Sequence, residues 1–182
     1  MKRFSLQRLF FLTLCCDLGL FGKRLIAPAA NILTDALHIP GGIGTSFSLM
    51  FLVIAAALTP RFGCAVLMAA VQSALALSLG MVGSMGLLSP IGYVVPGLVI
   101  DAVFFFARKA GRENRLSMML ANMLSGAAAG LTANAIVFHL WGIPLLLYLS
   151  VSLSSGAVFG LLGARLASRL KPILKMEGRM KT

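Results

Sequence analysis

Six apolar stretches, separated by short polar or glycine- and proline-containing segments, follow one another along almost the whole chain. They cover residues 5–22, 44–59, 62–79, 87–107, 116–140 and 143–166, each 16 to 25 residues long. An α-helix rises about 1.5 Å per residue, so helices of this length can cross a hydrocarbon core about 30 Å thick. The pattern predicts an all-α fold, a polytopic membrane protein formed by a single bundle of six transmembrane helices.

The composition agrees with this pattern and excludes a soluble domain. Of 182 residues, 59% are hydrophobic and only 12% are charged, which is too apolar for a soluble domain of this size. Six helices use nearly all of the residues and leave no room for a second domain. We therefore expect a non-catalytic protein, and any ATPase that acts with it to be another polypeptide.

The basic residues orient the predicted helices. With the N-terminus in the cytoplasm, fourteen of the sixteen Lys and Arg residues fall on the cytoplasmic side, and only Lys23 and Arg24 fall outside. Cytoplasmic loops of membrane proteins carry such an excess of positive charge. The asymmetry predicts cytoplasmic N- and C-termini, an external loop over residues 25–43 that acts as a lid, and a basic cytoplasmic tail over residues 167–182.

The net charge of +11 has an explanation other than nucleic-acid binding. The basic residues form short clusters beside the apolar stretches, where they can meet anionic lipid headgroups. No basic face of a soluble domain is available for nucleic acid. We therefore expect a multi-pass protein of the bacterial inner (plasma) membrane.

Ala27-Pro28-Ala29 also resembles a signal-peptide cleavage site, but Lys23 and Arg24 interrupt the apolar stretch before it, so we expect the first helix to be retained.

Polar side chains of several predicted helices fall at a similar depth, mainly in the outer half of the bilayer. Such groups are costly in lipid unless they face the bundle interior or a cavity. The shared depth predicts a ligand-binding cavity that opens outward. The candidate ligand-binding residues are Asn31, Thr34, Asp35, His38, Gln72, Tyr93, Asn134, His139 and Trp141.

Each candidate has a chemical role and a simpler structural one. A carboxylate at Asp35 suits a cationic ligand, Tyr93 or Trp141 suits a stacked ring, and the amides of Asn31, Asn134 and Gln72 suit ring nitrogens. Structural roles remain as alternatives. Trp141 could anchor at the membrane interface, the amides of Asn134 and Gln72 could hydrogen-bond between helices, and His139 at a helix end could cap carbonyl groups.

Two acidic residues lie inside predicted helices, where a charge needs a partner. Asp17 has Arg24 two turns further along the same helix face, and this pairing is expected. Asp101 lies near the depth of Asn122 on the next helix, so we expect a hydrogen-bonded pair between them.

No Cys/His spacing typical of a metal site occurs in the sequence, and no cofactor is expected.

Two glycine pairs, Gly126-x-x-x-Gly130 and Gly156-x-x-x-Gly160, have the spacing that lets helix backbones approach closely in lipid. We expect them to pack the bundle internally.

The run from Ser155 to Ala164 resembles the serine-bearing helix of rhomboid intramembrane proteases. A serine nucleophile needs a base within hydrogen-bond reach. No histidine follows Ser155, so a rhomboid-like protease is the less favoured alternative.

The overall layout resembles the substrate-binding S-component of energy-coupling-factor (ECF) transporters, of the type related to thiamine or its hydroxymethylpyrimidine precursor. The resemblance covers about residues 5 to 170. The motifs that carry it are Asn31-x-x-Thr34-Asp35 leading to Ile39-Pro40-Gly41-Gly42, Pro60-Arg61-Phe62-Gly63, the run from Pro96 to Phe104, and Ser155-Gly156-Ala157.

The resemblance implies a function and a set of partners. A member of this family captures a vitamin or vitamin precursor for ATP-driven uptake, together with a membrane scaffold subunit and two ATPase subunits. The family's small residues on the first helix, which contact the scaffold, correspond to Cys15 and Gly19 here. Another small-molecule membrane transporter or an assembly subunit is the alternative function.

Overall fold

The described part of the chain contains six α-helices. The computed structural model describes residues 6–36, 42–59, 61–81, 86, 88–137, 139 and 141–179, and within the helices it leaves out the side chains of residues 6–8, 33–36, 136–137 and 173–179. The helices are α1 (Leu6–Ala36), α2 (Ile43–Leu58), α3 (Cys64–Ser78), α4 (Ser89–Lys109), α5 (Arg115–Leu131) and α6 (Ile143–Arg179), and a π-helix, Thr132–Val137, continues α5. The predicted all-α fold is confirmed.

Helix α2 is the centre of the arrangement. The helices contact one another in the circular order α1, α2, α6, α5, α4, α3 and back to α1, and α2 also contacts α3, α4 and α5. Its buried side chains lie on all sides, and Leu52, Val53 and Ala55 are almost completely inaccessible. A helix that is apolar all round is expected to be enclosed in this way.

The outer surface of the bundle is apolar. Three helical segments are long and apolar enough to cross a membrane, Ser89–Lys109, Arg115–Ala135 and Ile143–Pro172, while α2 and α3 are shorter apolar helices. Large hydrophobic side chains such as Phe10, Leu25 and Phe106 point away from the protein. Apolar surface on this scale is rare on soluble monomers and is compatible with a membrane protein.

Residues 25–36, predicted as part of an external loop, are instead helical. Helix α1 continues through Pro28 to Ala36. A proline inside a helix costs about 3 kcal/mol in water, but packing in a helix bundle can compensate. Here Ala30 is buried and the Cα of Ala27 lies against the start of α2 near Gly44. The rest of the predicted lid, residues 37–41, lies outside the described residues.

The ends of the last two helices also differ from the prediction. Helix α6 does not stop near residue 166 but continues through Pro172 to Arg179, so the described part of the predicted basic tail is helical. Helix α5 changes to π-helix at Thr132, and His139 near its predicted end is not helical. The six boundaries of α2, α3 and α4 lie within about two residues of the predicted ones.

Asp101 caps a neighbouring helix and does not pair with Asn122. Its two carboxylate oxygens accept hydrogen bonds from the backbone N–H groups of Ala65 (3.2 Å) and Val66 (3.0 Å), in the first turn of α3. These N–H groups have no partner within their own helix, and the helix dipole favours an anion there. Gly97, one turn earlier on α4, permits the approach, because a Cβ there would lie 3.0 Å from the carbonyl oxygen of Ala65.

Asn122 joins three helices instead. Its Nδ2 donates to the carbonyl oxygen of Ser46 on α2 (3.2 Å) and of Gly156 on α6 (3.0 Å), and the side chain is completely buried. The predicted pair with Asp101 is therefore wrong, since Asp101 contacts the start of α3 and Asn122 contacts α2 and α6. A backbone carbonyl is available at every turn of a helix, whereas a side-chain partner requires two residues to meet.

The glycine pair on α6 packs the bundle internally, as predicted. A Cβ on Gly156 would lie 2.8 Å from the Cα of Met123, and a Cβ on Gly160 would lie 2.7 Å from the Cα of Met119. Helices α5 and α6 therefore approach each other backbone to backbone, which glycine alone permits.

The expected pairing of Asp17 with Arg24 is not formed. The ion pair found among the described side chains joins Arg108 and Glu113 in the turn after α4. Arg108 also donates from Nη2 to the carbonyl oxygen of Ala56 (2.8 Å), near the end of α2. Basic side chains commonly satisfy the last carbonyls of a helix in this way.

We expect Asp101→Asn to lower the free energy of unfolding by about 1–3 kcal/mol, since one carboxylate acceptor is replaced by an NH₂ group that faces a backbone N–H. Unfolding in mixed detergent micelles measures the change. Glu113→Gln, which removes an acid from an exposed ion pair, is the matched control and is expected to cost at most about 1 kcal/mol. Equal losses in the two variants would contradict the capping role.

We expect Gly156→Ala to destabilise the protein by about 1–3 kcal/mol, because the new methyl group overlaps the α5 backbone. The same titration applies. Gly44→Ala is the control, as the nearest heavy atom to its Cβ, the Cα of Ala27, is 3.9 Å away. An unchanged stability of Gly156→Ala would show that α5 and α6 are not in backbone contact.

Candidate ligand-binding cavity

A cavity of about 620 Å³ lies between the helices, and all six contribute to its wall. This volume is within the range of about 300–1,000 Å³ that small-molecule sites occupy. The residues that line it are Leu20, Lys23, Arg24, Ala27, Thr45, Ser48, Leu49, Leu52, Gln72, Gly80, Met81, Ser89, Gly92, Tyr93, Ala129, Ala133, Asn134 and Tyr148.

The cavity lies at one end of the bundle. Its wall is formed by the first parts of α2, α4 and α6 and by the last parts of α3 and α5, which meet because successive helices run in opposite directions. The cluster Arg108, Lys109, Arg112 and Arg115 lies in the turn from α4 to α5, at the other end. The cavity therefore lies at the bundle end opposite this basic cluster, and its outward orientation stays a prediction.

Three of the nine predicted ligand-binding residues line the cavity: Gln72, Tyr93 and Asn134. Three others are described but do not line it. Asn31 is exposed on α1, His139 is exposed with a positive φ of 52°, and Trp141 is 68% exposed before α6. Their exposure at the end of the bundle suits contact with water or lipid headgroups more than with an enclosed ligand.

The remaining three predicted residues cannot be placed relative to the cavity. The backbone of Thr34 and Asp35 belongs to the last turns of α1, but their side chains lie outside the described part of the structure. His38 lies outside the described residues altogether. Their contact with a ligand stays a prediction.

Gln72 combines the chemical and the structural role. Its side chain is 1% exposed, and Nε2 donates to the carbonyl oxygen of Cys16 on α1 (2.8 Å). Gly19 leaves the space for it, since a Cβ there would lie 2.6 Å from the same nitrogen. The hydrogen bond ties α3 to α1 at the base of the cavity, as the structural alternative proposed.

Asn134 lies on the π-helix that ends α5. Its Nδ2 donates to the carbonyl oxygen of Gly130 in the preceding turn (2.9 Å). A π-helix widens the helical turn, and such turns are frequent at functional sites. Ala133 and Asn134 are both part of the cavity wall, so this irregular turn shapes the site directly.

Lys23 and Tyr93 form a cation–aromatic contact in the wall. The ammonium nitrogen of Lys23 lies 5.8 Å from the centroid of the Tyr93 ring. Both residues line the cavity, together with Arg24. A second aromatic ring, Tyr148 on α6, lines the cavity as well, packed near Gly42 and Gly130.

Sequence reasoning missed Lys23, Arg24 and Tyr148 as site residues. Tyr148 falls at the same depth as Tyr93, but its position gives no sign that it turns inward. The two basic residues were not considered as ligand-binding residues, although they are the exceptions to an otherwise one-sided charge distribution. That exception was the available signal, since a basic residue outside contradicts the usual bias.

Cys15 and Gly19, predicted to contact a scaffold subunit, are buried inside the bundle. Cys15 packs with Leu12, Cys64 and Met68, and Gly19 lies against α2 and α3. In this arrangement the pair serves the packing of α1 and offers no surface to another subunit. The outward face of α1 carries larger side chains, among them Leu14 and Leu18.

Ser155 has no protease-like environment in the described structure. Its hydroxyl oxygen lies 2.9 Å from that of Ser46, and it donates to the carbonyl oxygen of Ser152 (3.3 Å). Two serines in contact supply no general base. The contact joins α6 to α2 and explains the small residues around Ser155 by packing.

The chain matches no protein-family model, no curated protein and no solved structure. Within the described residues, no group of three or more His, Cys, Asp or Glu side chains is placed to hold a metal ion. The cavity wall offers hydroxyl, amide, aromatic and cationic groups, which can bind and orient a small molecule.

We expect a cysteine introduced by Ala133→Cys to react with a water-soluble methanethiosulfonate reagent, because the cavity is large enough for water to enter. Ala121→Cys is the matched control, as Ala121 is fully buried away from the cavity. The native cysteines are buried and should react slowly. Mass spectrometry of the labelled protein in detergent gives the rates. Equal reactivity at positions 133 and 121 would contradict an open cavity.

Proposed function

We propose that this protein is a membrane subunit that captures a small molecule in the cavity for import, as its resemblance to ECF S-components implies. The observation that carries the proposal is the cavity of about 620 Å³ that residues of all six helices line. Its wall combines apolar side chains with a few hydroxyl, amide and aromatic groups, the combination found in small-molecule binding sites.

The charge asymmetry supports an outward-facing cavity. The bundle end with the basic cluster at residues 108–115 corresponds to the cytoplasmic side under the positive-inside bias. The cavity is at the opposite end and therefore faces the exterior. In this proposal six helices cross the plasma membrane of a bacterium, and both termini are cytoplasmic.

Capture without catalysis is the role that the wall suits. No hydrogen bond joins a serine or threonine hydroxyl of the described wall to Lys23 or Arg24, as an activated nucleophile would require, whereas import needs only binding on one side and release on the other. Energy would come from two ATPase subunits coupled through a membrane scaffold subunit, the partners that the resemblance implies.

The ligand class is a vitamin or vitamin precursor with a ring. Tyr93 and Tyr148 supply ring faces for stacking, and Ser48, Gln72 and Asn134 supply hydrogen-bonding groups of the cavity wall. The resemblance by itself favours thiamine or its hydroxymethylpyrimidine precursor.

Thermal unfolding in detergent with B vitamins and their precursors tests this function. We expect one compound to stabilise the protein, by about 2.7 kcal/mol at a concentration 100 times its Kd. Ala133→Phe, which fills the cavity, should lose the effect. Ala70→Phe places the same side chain on the exposed face of α3 and should keep it. No stabilisation by any compound, or equal stabilisation of the two variants, would overturn capture in this cavity.

A further inference from the structure

The charges of the cavity wall are all positive among the residues described. Lys23 and Arg24 line it, and the other described lining residues are uncharged. The same two residues are the exceptions in the predicted charge distribution, which assigns the other fourteen basic residues to the cytoplasmic side. The two basic residues that line the cavity are thus the two that the positive-inside bias does not explain.

The acidic side chains that the structure describes, those of Asp17, Asp101 and Glu113, do not compensate these cations. Asp101 accepts two hydrogen bonds at the start of α3, Glu113 pairs with Arg108, and Asp17 lies about 9 Å along α1 from Lys23 and does not line the cavity. The side chains of Asp35 and Glu177 are not described. Asp35 is twelve residues beyond Lys23, about 18 Å along the continuous helix.

Among the described side chains, Lys23 therefore has no carboxylate partner, and the wall around it is largely apolar. An ammonium group in such surroundings is costly unless it is paired. Its contact with the Tyr93 ring offsets only part of that cost, since a cation–π interaction contributes about 0.5–2 kcal/mol. An anion in the cavity would supply the missing partner.

We propose that the cavity selects a small anionic compound with a flat ring, whose carboxylate or phosphate is bound by Lys23 and Arg24. The proposal rests on the proposed capture function and names its substrate class. The Tyr93 ring lies beside the Lys23 ammonium, so a ligand whose anionic group meets Lys23 carries its own ring next to that of Tyr93. Arg24 adds a planar guanidinium that can hold two oxygens of one anionic group.

This assignment differs from the cationic ligand that the sequence suggested through Asp35. A cation such as thiamine would enter a wall with two positive charges, and like charges at close range are unfavourable. The neutral hydroxymethylpyrimidine would leave Lys23 without a partner. An anionic ring compound satisfies both the charge and the aromatic groups.

A charge-selective labelling experiment tests the wall without knowledge of the ligand. The Ala133→Cys thiol is modified with an anionic (sulfonatoethyl) and a cationic (trimethylammonioethyl) methanethiosulfonate, and the ratio of the two rates is compared with that of a free thiol in solution. We expect the ratio to favour the anionic reagent by about tenfold or more. Adding Lys23→Gln should reduce the ratio several-fold, while Lys23→Arg should retain it.

The matched control is Lys171→Gln, the same substitution at an exposed lysine outside the cavity. It should leave the ratio unchanged. Circular dichroism and the midpoint of thermal unfolding verify that each variant is folded. A ratio near that of the free thiol, or one that Lys23→Gln does not lower in a folded variant, overturns the proposal.

Charge-matched ligand pairs then separate this proposal from the capture function. Thermal unfolding is measured with nicotinate and nicotinamide, with pyridoxine 5′-phosphate and pyridoxine, and with thiamine. We expect the anionic member of a pair to stabilise the wild type more, and Lys23→Gln to lose at least about tenfold in affinity while Lys171→Gln loses none. Preference for a neutral or cationic member overturns the anionic class but leaves capture standing. No stabilisation by any compound, together with a failed vitamin screen, overturns both.

A lipid headgroup is the other source of an anion at this depth, because lysine side chains near a membrane surface extend toward phosphates. Phosphatidylglycerol added to the detergent micelles distinguishes the two. If phosphatidylglycerol alone stabilises the protein in a Lys23-dependent way and the soluble anions do not, Lys23 is a lipid anchor and the proposal is wrong.

Discussion

Buried polar side chains that bind the backbone of a neighbouring helix hold this bundle together. Asp101 caps α3, Asn122 donates to α2 and α6, and Gln72 donates to α1. In an apolar environment a polar group that lacks a partner costs several kcal/mol, so these contacts are obligatory. They specify which helices are neighbours, whereas apolar contacts alone would allow helices to slide or rotate.

Close backbone approach follows from the same contacts and positions the cavity. Gly97 brings α4 to the start of α3, and Gly156 and Gly160 bring α6 to α5. In the central helix α2 the run from Val53 to Ala56 is almost completely buried, just beyond the cavity-lining part that ends at Leu52. The bundle is thus closely packed at one end and leaves a space of about 620 Å³ at the other. The polar residues of that end face one another across the space and can serve a ligand.

The sequence predicted the elements and their depth well and the partners of individual side chains poorly. Helix existence follows from the length of apolar stretches, and the shared depth of Gln72, Tyr93 and Asn134 follows from counting residues along each helix. The loop predicted over residues 25–43 was wrong for residues 25–36. The first helix was predicted to end at residue 22, whereas packing of Ala27 and Ala30 keeps it continuous. Cys15 and Gly19 were assigned to an outer face because the rotation of α1 about its own axis is set only by its neighbours.

Length, hydropathy and the distribution of basic residues are properties of the chain itself, so the sequence determined the all-α class, the six helices and the depth of the polar groups. Which side chains share a wall depends on helix rotation and neighbour order, and these are decided by contacts between residues far apart in the chain. Only the tertiary structure therefore shows that Lys23 contacts Tyr93, that Tyr148 lines the cavity and that Asp101 accepts hydrogen bonds from the first turn of α3. Successive residues of a helix point in directions about 100° apart, so a small rotation changes which side chains face the bundle. Helix α1 carries apolar residues on both its buried and its exposed faces, so their spacing does not specify its rotation.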